Sequence, residues 1–216
     1  MGAKKEAEVI EIKAINSKIV KIKIVGDTPL IVHAWSEKAK RMMLEAQMKT
    51  TKTKSREVRD PFDDFINSMY WLTEKPESTE EAFEKAVKDG AKWGFPVGAI
   101  KMAGNSAAYR NGWVKNQMQL RGSYFLKTEY GDIAEIEDSI PIMREDMVRV
   151  GMGSADLRYR AEYRDWSMNL LLEYNADGEM TLEQIINVIN AGGYSVGIGE
   201  WRPEKDGDFG RYHIEV

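Results

Sequence analysis

The residues best suited to chemistry lie near the end of the chain. Six of its eighteen glycines fall between Gly192 and Gly210, interleaved with Trp201, Arg202, Pro203 and Lys205 and followed by Arg211. Glycine-rich backbone adopts positive φ and admits another molecule without a Cβ in the way. Successive free N–H groups in such a loop form an anion-binding concavity, to which Arg202 and Arg211 add charge. It is not a dinucleotide fingerprint, because Gly197 and Gly199 are followed by Arg202 where a third glycine belongs. Nor is it a P-loop, since no Gly-Lys-Ser/Thr closes it. A wide turn between a helix and a strand is the plainer alternative.

Other cationic groups could serve the same anion. In DLRYRAEYRDW (156–166), strand alternation places Arg158, Arg160, Glu162 and Arg164 on one face and Leu157, Tyr159, Ala161 and Tyr163 on the other. Such arginines repel one another unless acids of a neighbouring strand or phosphates meet them. In the second case a tyrosine or Trp201 would stack on a base. Residues 49–60, with Lys52 and Lys54 among five basic residues and two acids, are either a solvated loop or an arm that tracks phosphates. Arg41 lies on the helix expected just before this stretch. His33 and His213 are the only histidines, and cysteine is absent, which excludes disulfides, thiolate metal sites and thiol nucleophiles. No carboxylate spacing suggests a metal, so neither a metal nor another cofactor is expected.

These groups must be positioned by a mixed set of elements. IVKIKIV (19–25) alternates as a half-buried strand. Helices are expected from Ser36 to about Lys49, from Pro61 through Leu72 and over 78–89, with Gly90 as a stop. In the first of these, Ala39, Met42, Met43 and Ala46 form a stripe expected to fill the core. Val97–Met102 is apolar apart from Lys101, and Asn105–Tyr109 forms a further helix. Strand pieces are expected at 123–127 and 133–136. Thr181 and Gln184 have the form of a capping box, starting a helix that Gly192 and Gly193 end. Finally, Tyr212, Ile214 and Val216 alternate with Arg211, His213 and Glu215. Strands and helices without a long parallel series imply an α+β fold.

The composition, with 43% hydrophobic and 31% charged residues, fits a soluble globular domain. No apolar run spans a bilayer, and MGAKKEAEVIEIK is too polar for a secretory signal, so a cytoplasmic protein with no membrane partner is expected. The net charge of −4 argues against nonspecific coating of DNA. The charge is uneven, however: eight Lys or Arg against four acids over 36–60, and four acids without a base over 132–138. A local basic groove is compatible with an acidic whole.

The strand WSMNLLLEY (166–174), the helix after Thr181 and the segment GGYSVGIGEWRPEKDGDFGRYHIEV resemble the carboxy-terminal half of the RAMP superfamily of CRISPR-associated proteins. The hallmark of that superfamily is a glycine-rich loop of the form GxGxxR. FPVGAIKMAGNSAAYR (95–110) is similar to the P-x-S-S-L-K-G-x-x-R segment of the backbone subunits that line guide RNA, with Ala99 and Ala103 where the family has Ser and Gly. The resemblance implies one domain over 1–216: a ferredoxin-like, RNA-recognition-type antiparallel sheet, with a mainly helical insertion at 36–90. It implies that Lys101 and Arg110 contact an RNA backbone, and that copies assemble side by side as a homo-oligomer or as subunits of a ribonucleoprotein complex. A phage-encoded relative acting in the host cytoplasm is equally compatible. RNA-cleaving members place a general base near the position of His33. Binding of single-stranded RNA or DNA is therefore the first reading. A metal-independent endoribonuclease using His33 is the second, and an adaptor for another protein the third.

Overall fold

The computed structural model describes residues 14–35, 37–48, 59–150 and 153–215. In chain order the elements are β1 (Ser17–Gly26), β2 (Leu30–Val32), α1 (Glu37–Gln47), α2 (Pro61–Asn67), β3 (Tyr70–Trp71), α3 (Glu80–Lys88), β4 (Trp93–Pro96) and α4 (Val97–Arg110). There follow α5 (Met118–Arg121), β5 (Tyr124–Lys127), β6 (Ile133–Glu135), β7 (Ile142–Val150), β8 (Ser154–Tyr163), β9 (Ser167–Asn175), α6 (Leu182–Ser195) and β10 (Tyr212–Glu215), with a 3-10 turn at Pro203–Lys205. The fold is α+β.

The strands form three antiparallel sheets, ordered β10-β1-β9-β5, β2-β8-β7 and β3-β4-β6. Alternation builds the first. Ile22 and Ile24 of β1, Met168, Leu170 and Leu172 of β9, and Tyr212 and Ile214 of β10 are buried, while Lys21, His213 and Glu215 face outward. Helices α4 and α6 pack against each other over the buried side. Their closest approach is backbone to backbone: a Cβ on Gly192 would lie 2.5 Å from the Gly104 nitrogen. The Tyr124 hydroxyl, buried beneath, donates to Asn105 Oδ1 at 3.1 Å.

This crossing corrects the expected helix end. α6 runs through Gly192 and Gly193 to Ser195, because the space a side chain would occupy is filled by α4 and by Tyr212. The capping box of Thr181 and Gln184 forms as expected. The two pieces expected over 97–109 are one helix.

The stretch from 37 to 90 contributes α1, α2, β3 and α3. Asp60 caps α2 by accepting from the amides of Phe62 and Asp63, at 2.9 and 3.3 Å. α2 ends at Asn67 instead of continuing through Leu72, and Tyr70–Trp71 instead pair with β4. Phe65, Ile66 and Met69 join the same buried cluster as Ile24, Leu170 and Ile189. α1 departs from expectation: Met42 and Met43 are 40% and 46% exposed, and Ala46 is exposed too. Helical spacing specifies which side chains share a face, but not that anything covers that face. No helix among the described residues is long and apolar enough to cross a membrane.

Candidate nucleic-acid interface

The glycine-rich segment folds back on its own chain. Gly197, Gly199 and Gly210 take φ of 69°, 76° and 66°, all in the left-handed region. A Cβ on Gly199 would meet the Ile31 carbonyl oxygen of β2, and one on Gly210 the Ile198 carbonyl oxygen. The amides of Ile198, Glu200 and Gly210 donate to Gly210, Ile31 and Pro29, at 2.9, 2.9 and 2.8 Å. Most of the loop's N–H groups are therefore consumed internally, which corrects the picture of a continuous row of free amides. Among the described residues of the loop, the amides of Gly199, Trp201, Arg202 and Asp208 donate to no other backbone group. Trp201 sits at φ 51°, a conformation that bulky residues rarely adopt. Its carbonyl accepts from the Phe209 amide at 3.1 Å.

Between this loop and α4 lies a cleft of approximately 770 Å³. Lys101, Arg121 and Arg202 supply its cations, Glu200 and Glu204 its carboxylates, and His33, Gly197 and Gly199 also line it. The fold thus brings together five of the residues singled out from the sequence: His33, Lys101, Gly197, Gly199 and Arg202.

Two of these cations, Lys101 and Arg202, already have partners. Lys101 Nζ donates to the Arg121 carbonyl at 2.7 Å and lies 4.5 Å from the centre of the Phe125 ring. Burial holds its pKa below the ordinary lysine value. Arg202 donates to Glu204 Oε2 from Nη2 at 2.8 Å and to the Gly199 carbonyl at 2.9 Å. Arg110, at the end of α4, pairs with the other oxygen of Glu204. Hydrogen bonding from Arg202, reinforced by Arg110, holds the Glu204 carboxyl below its ordinary pKa.

His33 stands at the far wall, its Nδ1 3.9 Å from Glu200 Oε1. Burial, and then the nearby Arg160, lower its pKa from the ordinary histidine value, while Glu200 pulls the other way. At neutral pH the imidazole is therefore neutral, the state a general base requires. His33 thus shares one cleft with Lys101 and Arg202, and a base with cations is part of what deprotonating a hydroxyl and stabilising a phosphorane require.

The arginine strand is a correction. β8 and β7 pair with Asp146 opposite Arg158 and Arg144 opposite Arg160, so acids of the neighbouring strand share the arginine face. Arg160 is 2% exposed and lies 3.3 Å from Asp146 and 3.5 Å from Glu200. Arg144 bonds Asp146 at 2.9 Å and Glu162 at 2.8 Å. Arg158 lies 3.5 Å from Asp156. Arg160 is buried among these acids, whereas Arg158 is partly exposed and lines a smaller pocket that His33 also borders.

The remaining expected contacts are dispersed. Arg41 is exposed on α1, 4.0 Å from Glu45. Arg211 lies over the Tyr194 ring at 5.0 Å, beyond the cleft. Lys52 and Lys54 fall outside the described residues. Arg121 and Glu200 were missed. Glu200 lies inside the glycine-rich signal and could have been found there, whereas Arg121 belongs to a four-residue helix with no periodicity to mark it.

Among the described residues no cluster of three or more His, Asp or Glu could hold a metal ion. No protein-family model matches the chain, and comparison with curated proteins likewise finds no match.

Proposed function

We propose that this protein binds single-stranded nucleic acid, RNA in the first place, by its backbone, in the cleft between α4 and the glycine-rich loop. One observation carries the reading: Lys101 of α4, Arg121 of α5 and Arg202 of the glycine-rich loop converge on a cleft large enough for a phosphodiester. Phosphate contacts fix position and carry little base information, so this cleft itself is indifferent to sequence. Trp201, 38% exposed and between the lining residues Glu200 and Arg202 in the chain, offers a stacking platform.

The main sheet supports a ferredoxin-like reading. Its order is β10-β1-β9-β5, with α4 between β1 and β5 in the chain and α6 between β9 and β10. That is two βαβ halves interleaved in one antiparallel sheet. The resemblance to RAMP proteins, with copies side by side along a strand, belongs to the same proposal.

Titration of labelled single-stranded RNA and DNA across a salt series tests the reading. Three phosphate contacts give a log–log slope of about −2 on single strands. Arg202→Glu and Lys101→Ala should each weaken binding and flatten the slope. Affinity that ignores both salt and these substitutions would point to an adaptor that contacts another protein.

The position of His33 favours a second activity for the same cleft. As base, the neutral imidazole takes the 2′-hydroxyl proton; the 2′-oxygen attacks phosphorus and the bond to the 5′-oxygen breaks, leaving a 2′,3′-cyclic phosphate, while the departing 5′-oxygen takes a proton from water and the imidazolium returns its proton to solvent. Incubating RNA in EDTA with the wild type and with His33→Ala checks it. Cleavage by the wild type alone supports the nuclease, and equal inertness removes it.

A further inference from the structure

A second cleft, of approximately 960 Å³, lies on the other side of α5, between the end of α4 and α6. Arg121 turns to the first cleft, whereas Gln119 and Ser123 turn to the second. Its lining is almost free of charge, with Lys115 and Glu179 the only ionic residues among those described. In their place it offers aromatic rings and carboxamides. Trp113 and Tyr194, both among the lining residues, are 55% and 70% exposed.

The carboxamides are oriented in advance. Gln119 Oε1 accepts from the amides of Lys115 and Asn116, at 2.9 and 3.3 Å. Gln184 Oε1 accepts from the Thr181 amide at 3.0 Å, within the capping box, and Asn190 Oδ1 from the Ile214 amide at 2.7 Å. With each oxygen turned to a backbone amide, the NH₂ group of each side chain is left free of that contact to donate. The Ser123 hydroxyl donates to the Gln119 carbonyl at 3.0 Å, so its oxygen remains an acceptor. The cleft therefore presents several fixed donors and an acceptor beside two rings. The complementary ligand is a flat, uncharged heterocycle with carbonyl acceptors on either side of an N–H.

We infer that this cleft is a base-binding site for uracil, taken from a single strand or from a free uridine nucleotide. A phosphate partner stands beside it, since the Arg211 guanidinium lies over the Tyr194 ring. A base stacked on Tyr194 would thus carry its phosphate toward a cation, which a neutral sugar does not require. The inference rests on the strand-binding reading for the polymer and on this cleft alone for the base. It gives a role to Arg211, which the first cleft leaves unused.

The full chain is titrated with uridine monophosphate while the side-chain amide resonances of Gln119, Gln184 and Asn190 are followed. In parallel, oligouridylate and oligoadenylate of equal length are titrated by anisotropy. The resonances should shift, and oligouridylate should bind about tenfold more tightly than oligoadenylate, the discrimination of one well-made hydrogen-bonded pair. Trp113→Ala and Tyr194→Ala, both at exposed side chains that the fold does not need, should each cost about tenfold on oligouridylate and leave the salt slope unchanged. Resonances that stay put while both oligomers bind alike would overturn the base site and leave the strand reading standing. Shifts with uridine monophosphate but no binding of either oligomer would do the reverse. A hexose that moves the resonances where uridine monophosphate does not overturns the base site as well, and silence in every arm removes both proposals.

Discussion

Glu204 sits between two arginines, accepting from Arg202 and Arg110, and so competes with any phosphate for both. Glu204→Gln removes that competitor without changing the side chain's shape. Binding of single-stranded RNA at low salt should tighten, and the salt slope should steepen by about 0.7 for each arginine released, read from the same titration. Unchanged binding would mean that neither arginine meets the strand. Arg160 behaves differently because it is buried between Asp146 and Glu200, with its Nε unpartnered. Arg160→Ala leaves a buried carboxylate short of a partner and should cost about 3 kcal/mol, seen as a lower urea midpoint at unchanged slope. Arg158→Ala, at the partly exposed end of the ladder, should cost less than about 1 kcal/mol in the same assay. His33 adds a pH dependence. Its folded pKa lies below the unfolded value of about 6.5, so on acidification the unfolded chain takes up this proton first. The stability it contributes is whole above that value and declines as pH falls toward and through the folded pKa. Thermal midpoints of the wild type and His33→Gln, compared from pH 8 downward, should therefore diverge below about pH 6.5, with the wild type losing more.

At the scale of elements, the α4–α6 crossing sets the position of the cleft, and glycine permits the crossing. Gly192→Ala places a methyl group 2.5 Å from the Gly104 nitrogen and 2.7 Å from its Cα, so the helices must part. Overpacking of this kind costs about 1–3 kcal/mol, and the shift of α4 should weaken strand binding as well. Gly90→Ala is the control. Its φ is 84° but its surroundings are open, so only backbone strain of about 1–2 kcal/mol applies and binding should be untouched. The contrast also explains what the sequence made legible. β1 and β10 were readable because half-buried strands alternate, β9 came only with the family resemblance, and the α6 start was readable because a capping box is local chemistry. The α6 end was not: Gly192 and Gly193 look like a stop, and only their distant partners Gly104 and Tyr212 give them another role. The methionines of α1 carried helical spacing without information on burial. In the site, Arg202 and Gly199 were found through a dense local signal and Lys101 through a motif. Arg121, and Asp146 as the partner of Arg160, come from segments whose pairing is set by tertiary contacts alone.

Over the whole molecule, charge and binding pull in opposite directions. The net charge is −4, yet the cleft gathers Lys101, Arg121 and Arg202 against two carboxylates. Beyond a Debye length, about 10 Å at 0.1 M salt, an approaching polyanion meets the net repulsion; inside it, the local cations dominate. Association is therefore not steered from a distance, and the attraction acts only once the strand is seated. Stopped-flow binding of single-stranded RNA should show an association rate constant that is flat or rises slightly with salt, and a dissociation rate constant that rises steeply and accounts for most of the affinity lost. An association rate constant falling steeply with salt would instead show that a broad basic surface guides the strand, and would move the interface away from this cleft. If copies do line up along one strand, each added protomer brings further negative charge beside the last. Salt then opposes seating but favours crowding of neighbours. Sedimentation of the protein on RNA of increasing length should reveal mass steps of one protomer that are closest to saturation at intermediate salt, where self-repulsion is screened before the phosphate contacts are lost. Saturation that only declines from the lowest salt upward would mean isolated protomers on the strand and no assembly.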